Sequence, residues 1–111
     1  MKQEYLKSYS ENGYAIIRNF FEKEEVEELK KEIDLVALEA EKHHTSYRHK
    51  NLLYVIQNDQ MLGKVLRFCQ RPSYGNKVFE KYRTDPRFFK LLRPLLGENI
   101  KQIINQIIWK T

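Results

Sequence analysis

The sequence is poor in the residues that fix a small fold by covalent or metal chemistry. Among its 111 residues there is one cysteine, Cys69. A single cysteine excludes an intrachain disulfide framework and any paired-cysteine metal knuckle, and it suits a reducing compartment. Cys69 itself reads as a small buried hydrophobe. Glycine is equally scarce, with four scattered positions. That excludes the glycine-rich loops that cradle phosphates or dinucleotides. No nucleophile elbow is present, and no apolar run approaches the length of a membrane-spanning helix. The N-terminal MKQEYLKSYSENG has no apolar signal core. A cytoplasmic location is the expectation.

What is present is a globular composition with a heavily solvated surface: 41% hydrophobic and 32% charged. Seven Tyr and six Phe, with Trp109, supply core bulk that a disordered chain lacks. The formal charge of +5 is spread along the chain rather than packed into a block. It is compatible with a generic solvated surface, an anionic ligand or nucleic acid. The length suits one small domain or a piece of a larger one.

Taken in order, residues 2–12 predict a short helix with Tyr5, Leu6 and Tyr9 on one face, stopped by Asn12-Gly13. Tyr14 to Phe20 predicts a strand, with Tyr14, Ile16 and Phe20 sharing a face. Glu22 to about Lys42 is the strongest helix. Its Val26, Leu29, Ile33, Val36 and Ala40 recur at alternating steps of three and four and give one apolar stripe. Glu24, Glu25, Glu27 and Glu28 crowd its first turns, where the dipole favours negative charge. These acidic residues are expected on its outer, solvated face. His43, His44 and His49 lie in a polar stretch read as a helix end and loop, with no spacing suited to a metal.

Leu52 to Ile56 predicts a short strand or apolar run. From Asn58-Asp59 a helix is expected, burying Met61, Leu62, Val65 and Leu66. A loop over 71–75 precedes one or two helical turns from Asn76 to Arg83. Thr84-Asp85-Pro86 is a start signal, since Asp85 can cap and Pro86 fits the first helical position. That helix carries Phe89, Leu92, Leu95 and Leu96 inward, is kinked or shortened by Pro94, and closes at Gly97. Asn99 to Lys110 predicts an isoleucine-rich strand with polar Gln102, Asn105 and Gln106 on its faces.

The order of GYAIIRNFF, the acidic helix EEVEELKKEID, TDPRFFKLLRPLLGENI and IINQIIWK resembles the N-terminal part of the phytanoyl-CoA dioxygenase family. These are Fe(II)- and 2-oxoglutarate-dependent oxygenases, which hydroxylate a small-molecule substrate while decarboxylating 2-oxoglutarate. The resemblance spans essentially the whole chain. It implies an α+β fold: the helix-rich N-terminal part of a double-stranded β-helix, or jelly roll, with two or three strands and four or five helices. Residues 1–111 are then a single incomplete domain.

The resemblance also implies which chemistry is missing. The family binds iron through a His-x-Asp motif and a later His. Here His43, His44 and His49 are followed two positions on by Thr45, Ser46 and Asn51, so no such motif exists. No catalytic residue and no metal ligand is assigned, and neither Fe(II) nor 2-oxoglutarate is expected to bind this chain alone. Two lysines correspond to family positions near 2-oxoglutarate. Lys64, in the run Lys64-Val65-Leu66-Arg67-Phe68, matches a lysine placed against the cofactor, and Lys110 matches a strand-end lysine at the mouth of the site. Gln102, Asn105 and Gln106 would line that mouth. Exposed apolar surface, left where a barrel would pack, is expected to drive self-association. The alternative is a small basic helical module for nucleic acid or a protein partner, built on Lys77, Lys81, Arg83, Arg87, Lys90 and Arg93. Nucleic acid is the less favoured partner of the two readings, and no membrane is expected.

Overall fold

The computed structural model describes residues 4–110; the expected helix residues 2 and 3 lie outside them. The fold is α+β. Among the described residues four helices accompany one antiparallel sheet of four strands in the order β1-β2-β3-β4.

Helix α1 (Glu4–Asn12) ends at Gly13, whose N–H donates to Tyr9 O at 2.8 Å. Glycine suits this stop because its φ is +82°. The Tyr5 hydroxyl then ties α1 to the later helix α4 through Leu91 O.

The expected strand Tyr14–Phe20 does not form. No strand lies beside it among the described residues, Asn19 adopts φ +54°, and Tyr14 and Ile16 stay exposed. Apolar alternation without a pairing partner gives only an extended connector. Its end is firmly held, because Phe20 and Phe21 meet edge to face and both rings pack on Phe88.

Helix α2 (Lys23–Ala40) buries the later part of the apolar stripe, while Val26, expected in it, is exposed. Val36 and Ala40 are buried, and Leu29 and Ile33 pack against the same core. Glu25 fixes the entry by accepting a 2.8 Å hydrogen bond from the backbone N–H of Glu22.

The stretch after α2 departs most from expectation. Tyr47–His49 is strand β1, in place of the expected loop. Strand β2 (Leu52–Asp59) and strand β3 (Gly63–Gln70) form a hairpin where a helix from Asn58 was expected. Asp59 does cap, but it caps a turn: its carboxylate accepts from the N–H groups of Met61 and Leu62. Gly63, at φ +76°, carries the chain back. Met61 and Leu62, expected in the core, stand exposed at the hairpin tip. The i, i+4 spacing of Leu62 and Leu66 is therefore accidental. Within β3, Val55 pairs with Phe68 and Ile56 with Leu66, so Arg67 is the extra residue of a bulge.

Helix α3 (Lys77–Arg83) starts at Asn76, whose side chain accepts from Phe79 N. Helix α4 (Pro86–Leu96) is capped by Asp85 as expected. It runs past Pro94 to Gly97, whose N–H bonds to Arg93 O at 2.9 Å. Phe89 and Leu96, expected inward, are exposed. The isoleucine-rich segment forms a ladder only over β4 (Gln106–Ile108), not over 99–110. The partner decides this: β3 ends at Gln70, and Arg71, at φ +53°, donates one last bond to Asn105 O at 2.8 Å before the chain leaves the ladder.

One face of the sheet, carrying Tyr54, Cys69, Leu66 and Ile107, packs on α2 and Phe79 and forms the core. The other carries Val55 and Phe68, both half-buried, and Ile108, which is exposed. The result is elongated, 47 × 30 × 28 Å with a radius of gyration of 16.8 Å. A compact chain of this length has a radius near 13 Å. Its accessible surface is 9017 Å², where a compact monomer of 13.5 kDa exposes about 6,500 Å².

Candidate functional site

The most concentrated chemistry is a polar seam along α2. Glu25, Glu28 and Glu32 recur at steps of three and four, which puts them on one helical stripe. The stripe faces α3 and α4, which corrects the expectation of a solvated outer face for Glu25 and Glu28, while Glu24 and Glu27 are exposed as expected. Glu25 receives Arg87 through two hydrogen bonds, of 2.8 and 2.6 Å. Glu28 accepts from the Tyr82 hydroxyl at 2.6 Å and from Lys81 at 2.7 Å. Glu32 accepts from Asn76, the residue that caps α3.

Arg87 is the centre of the seam. Its Nε and Nη2 also bond Asp85, and its Nη1 reaches Phe20 O. A guanidinium has five N–H donors, and here all five are used. Its plane lies 5.0 Å from the Phe21 ring centre. The Arg87 guanidinium, helped by the Glu22 amide, holds Glu25 down from 4.5 to about 2. The Arg87 side chain, then its backbone N–H, holds Asp85 down from 3.8 to about 2. Lys81, then Tyr82, lowers Glu28. Such a saturated cluster is a clamp between α2, α4 and the Phe20-Phe21 connector. Its central Arg87 has no donor left to offer a ligand. The sequence signal that could have revealed it is the Asp85-x-Arg87 pair beside the helix-opening Glu22 and Glu25.

The same pairing consumes the basic face. Of the six cations expected to attract nucleic acid, Lys81, Arg83, Arg87 and Arg93 each meet a carboxylate. Among the described residues Lys77 and Lys90 have no such partner.

Beneath the seam, α2, α3, α4 and the segment leading into β4 enclose a groove of about 670 Å³. Phe21, Ile33, Phe79, Phe88, Leu92 and Ile107 make it apolar, and Gln102, Asn105 and Gln106 stand at its border. Gln102 and Asn105, expected to line a mouth, border this groove, whereas strand alternation turns the Gln106 side chain to the sheet face of Ile108. Asn105 is held there by Ser73 Oγ at 3.2 Å and by Gln102 at 3.4 Å. The groove can enclose an apolar group beside amides. Tyr82, Asp85 and Lys101 also line it.

The lysines expected near 2-oxoglutarate are not brought together. Lys64 lies on β3 and spends its ammonium on the carbonyls of Glu41 and His43, closing the C-terminal end of α2. Lys110 is exposed beyond β4, and strand alternation puts it on the face of Ile108, away from α2. No group of three His, Cys, Asp or Glu suited to a metal occurs among the described residues. His43 stacks on Tyr47 with ring centres 4.0 Å apart, and its Nε2 is buried without a hydrogen-bond partner among the described residues. His49 lies instead beside Tyr74. Among the described residues, then, no side-chain set is gathered that would hold iron, and Lys64 is engaged by backbone carbonyls. Cys69 is fully buried, and burial pushes its thiol up to about 11.

No protein-family model, no curated protein and no solved structure matches the chain. Among the described residues no helix is long and apolar enough to cross a membrane.

Proposed function

We propose that this chain is a scaffold: the N-terminal support layer of a jelly-roll oxygenase of the phytanoyl-CoA dioxygenase type. The observation that carries this reading is the one-sided sheet. Four antiparallel strands pack one face on α2, leave Ile108 exposed on the other, and the chain exposes about 2,500 Å² more than a compact monomer of its mass. A helix-backed sheet with an open apolar face is the half of a sandwich that a second sheet completes.

In this reading α2 and α4, locked by Arg87, brace the sheet, and the groove beside Gln102, Asn105 and Gln106 borders the substrate side. The reaction itself, hydroxylation coupled to decarboxylation of 2-oxoglutarate, belongs to residues outside this sequence. The chain's own side chains supply packing and orientation and no proton transfer.

Incubating the 111-residue protein with Fe(II) and 2-oxoglutarate and measuring succinate tests the inactive half of the reading. No turnover above a metal-only blank is expected, and clear turnover overturns it. Sequencing the gene past codon 111 tests the other half; an in-frame His-x-Asp motif is expected there.

A further inference from the structure

Strand β4 leaves one edge open. Asn105 O accepts from Arg71 N, and Trp109 N donates to Arg67 O, so the odd-numbered residues turn their backbone groups toward β3. Antiparallel geometry then directs the N–H and C=O groups of Ile104, Gln106 and Ile108 away from the sheet. None of these groups has a backbone partner outside the sheet among the described residues.

This edge is short, with three residues of regular ladder, but it lacks the other usual defences. Natural edge strands are blunted by a lysine, a proline or a charge pointing inward. Here every residue from Gln102 to Trp109 is uncharged, and none is Gly or Pro. Ile104 and Ile108 are 47% and 57% exposed, where isoleucine is normally inside.

We propose that this edge is a homodimer interface, in which β4 pairs antiparallel with β4 of a second copy about a two-fold axis at Gln106. A two-fold axis normal to a sheet pairs a residue with itself. Centred on Gln106, it sets Gln106 opposite Gln106, and Ile104 opposite Ile108 of the other copy. All are hydrogen-bonding positions of the outward set. Asn105 then faces Ile107, and Ile103 faces Trp109. The two four-stranded sheets become one of eight strands.

Three features favour a second copy over another occupant. The edge is complementary to itself at its outward positions, with Gln106 on Gln106 and Ile104 on Ile108, and no like charges are opposed. The chain carries +5 overall, so copies repel except where they are neutral, and this segment is neutral. The surplus surface of about 2,500 Å² exceeds the roughly 800 Å² per partner that a stable interface buries. The inference stands apart from the oxygenase reading, because succinate production and molecular mass fail independently.

Light scattering coupled to size exclusion, run across a dilution series, is expected to give twice 13.5 kDa for the 111-residue protein. Gln106→Lys opposes two ammonium groups on the axis and is expected to give a monomer with an unchanged far-UV spectrum. A Gln106→Cys variant is expected to cross-link to a covalent dimer under mild oxidation. Ile108→Cys is not, since the two 108 positions lie about 14 Å apart in this register, beyond disulfide reach. A monomeric wild type overturns the proposal; it is the result expected if another strand of the same polypeptide or a foreign strand takes the edge. Open-ended polymers, a dimer that survives Gln106→Lys, or cross-linking through 108 instead of 106 also overturn it.

Discussion

Arg87 and Glu25 are 62 positions apart in the chain and meet through two hydrogen bonds of 2.8 and 2.6 Å. The pair joins the first turn of α4 to the first turn of α2. It also holds the Phe20-Phe21 connector, since Arg87 reaches Phe20 O and faces the Phe21 ring. Lysine cannot replace this geometry, because an ammonium is a point charge with three donors and no plane. Arg87→Lys is expected to lower the melting temperature by a few degrees, and Arg87→Ala by more, leaving Glu25 and Asp85 facing each other unneutralised. Scanning calorimetry checks the order. Equal melting temperatures for all three proteins would remove the clamp.

The same cluster sets the acid behaviour. Glu25 and Asp85 both fall to about 2 in the folded protein, from 4.5 and 3.8. A depressed carboxylate contributes stability above its unfolded pKa and loses it as pH falls through the folded value. Stability should therefore decline between about pH 4.5 and 2. In Glu25→Gln the decline should be shallower. Denaturant midpoints measured at stepped pH test this, and an unchanged slope in the variant contradicts it.

At the alkaline end the core pair Tyr54 and Cys69 governs. Burial pushes Tyr54 from 10.0 to about 12 and Cys69 from 9.0 to about 11. A raised acid is neutral in the fold, so its contribution is complete below the unfolded pKa and is lost as pH rises through the folded one. Stability should fall from about pH 9 to 12. At neutral pH a colourimetric thiol reagent should leave Cys69 untouched until denaturant is added. Rapid labelling of the native protein would mean that the sheet opens without unfolding.

The β2–β3 hairpin rests on Gly63 at φ +76°. A Cβ there would meet open space, so the cost of Gly63→Ala is purely conformational. It should be roughly 1–2 kcal/mol, read from urea midpoints. A neutral or stabilising substitution would show that the turn relaxes to another form.

Expectation and structure agree where the signal is local. The apolar stripe of α2, the Asn12-Gly13 stop and the Asp85-Pro86 start each depend on residues within a turn or two of one another. They part where the partner is distant. Tyr14–Phe20 alternates like a strand but meets no sheet. Val65 and Leu66 look helical but pair with Gln57 and Ile56. Asp59 carries a capping signal that a turn satisfies as well as a helix does. Of the candidate site, polar residues bordering a cavity are one of two readings of Gln102 and Asn105; the Arg87 clamp is not legible, because its members come from α2, α4 and the loops before them.

By itself the sequence determined that the chain is globular and α+β, that α2 and α4 exist and where they begin, and that no metal motif is present. Periodicity and capping are short-range, and composition is independent of folding. Only the tertiary structure decided the hairpin, the length of β4, the direction in which the glutamates of α2 point, and the separation of Lys64 from Lys110. Each of these depends on which segment supplies the opposing hydrogen bond or charge, and that choice is made across dozens of residues by the packing of the sheet against α2.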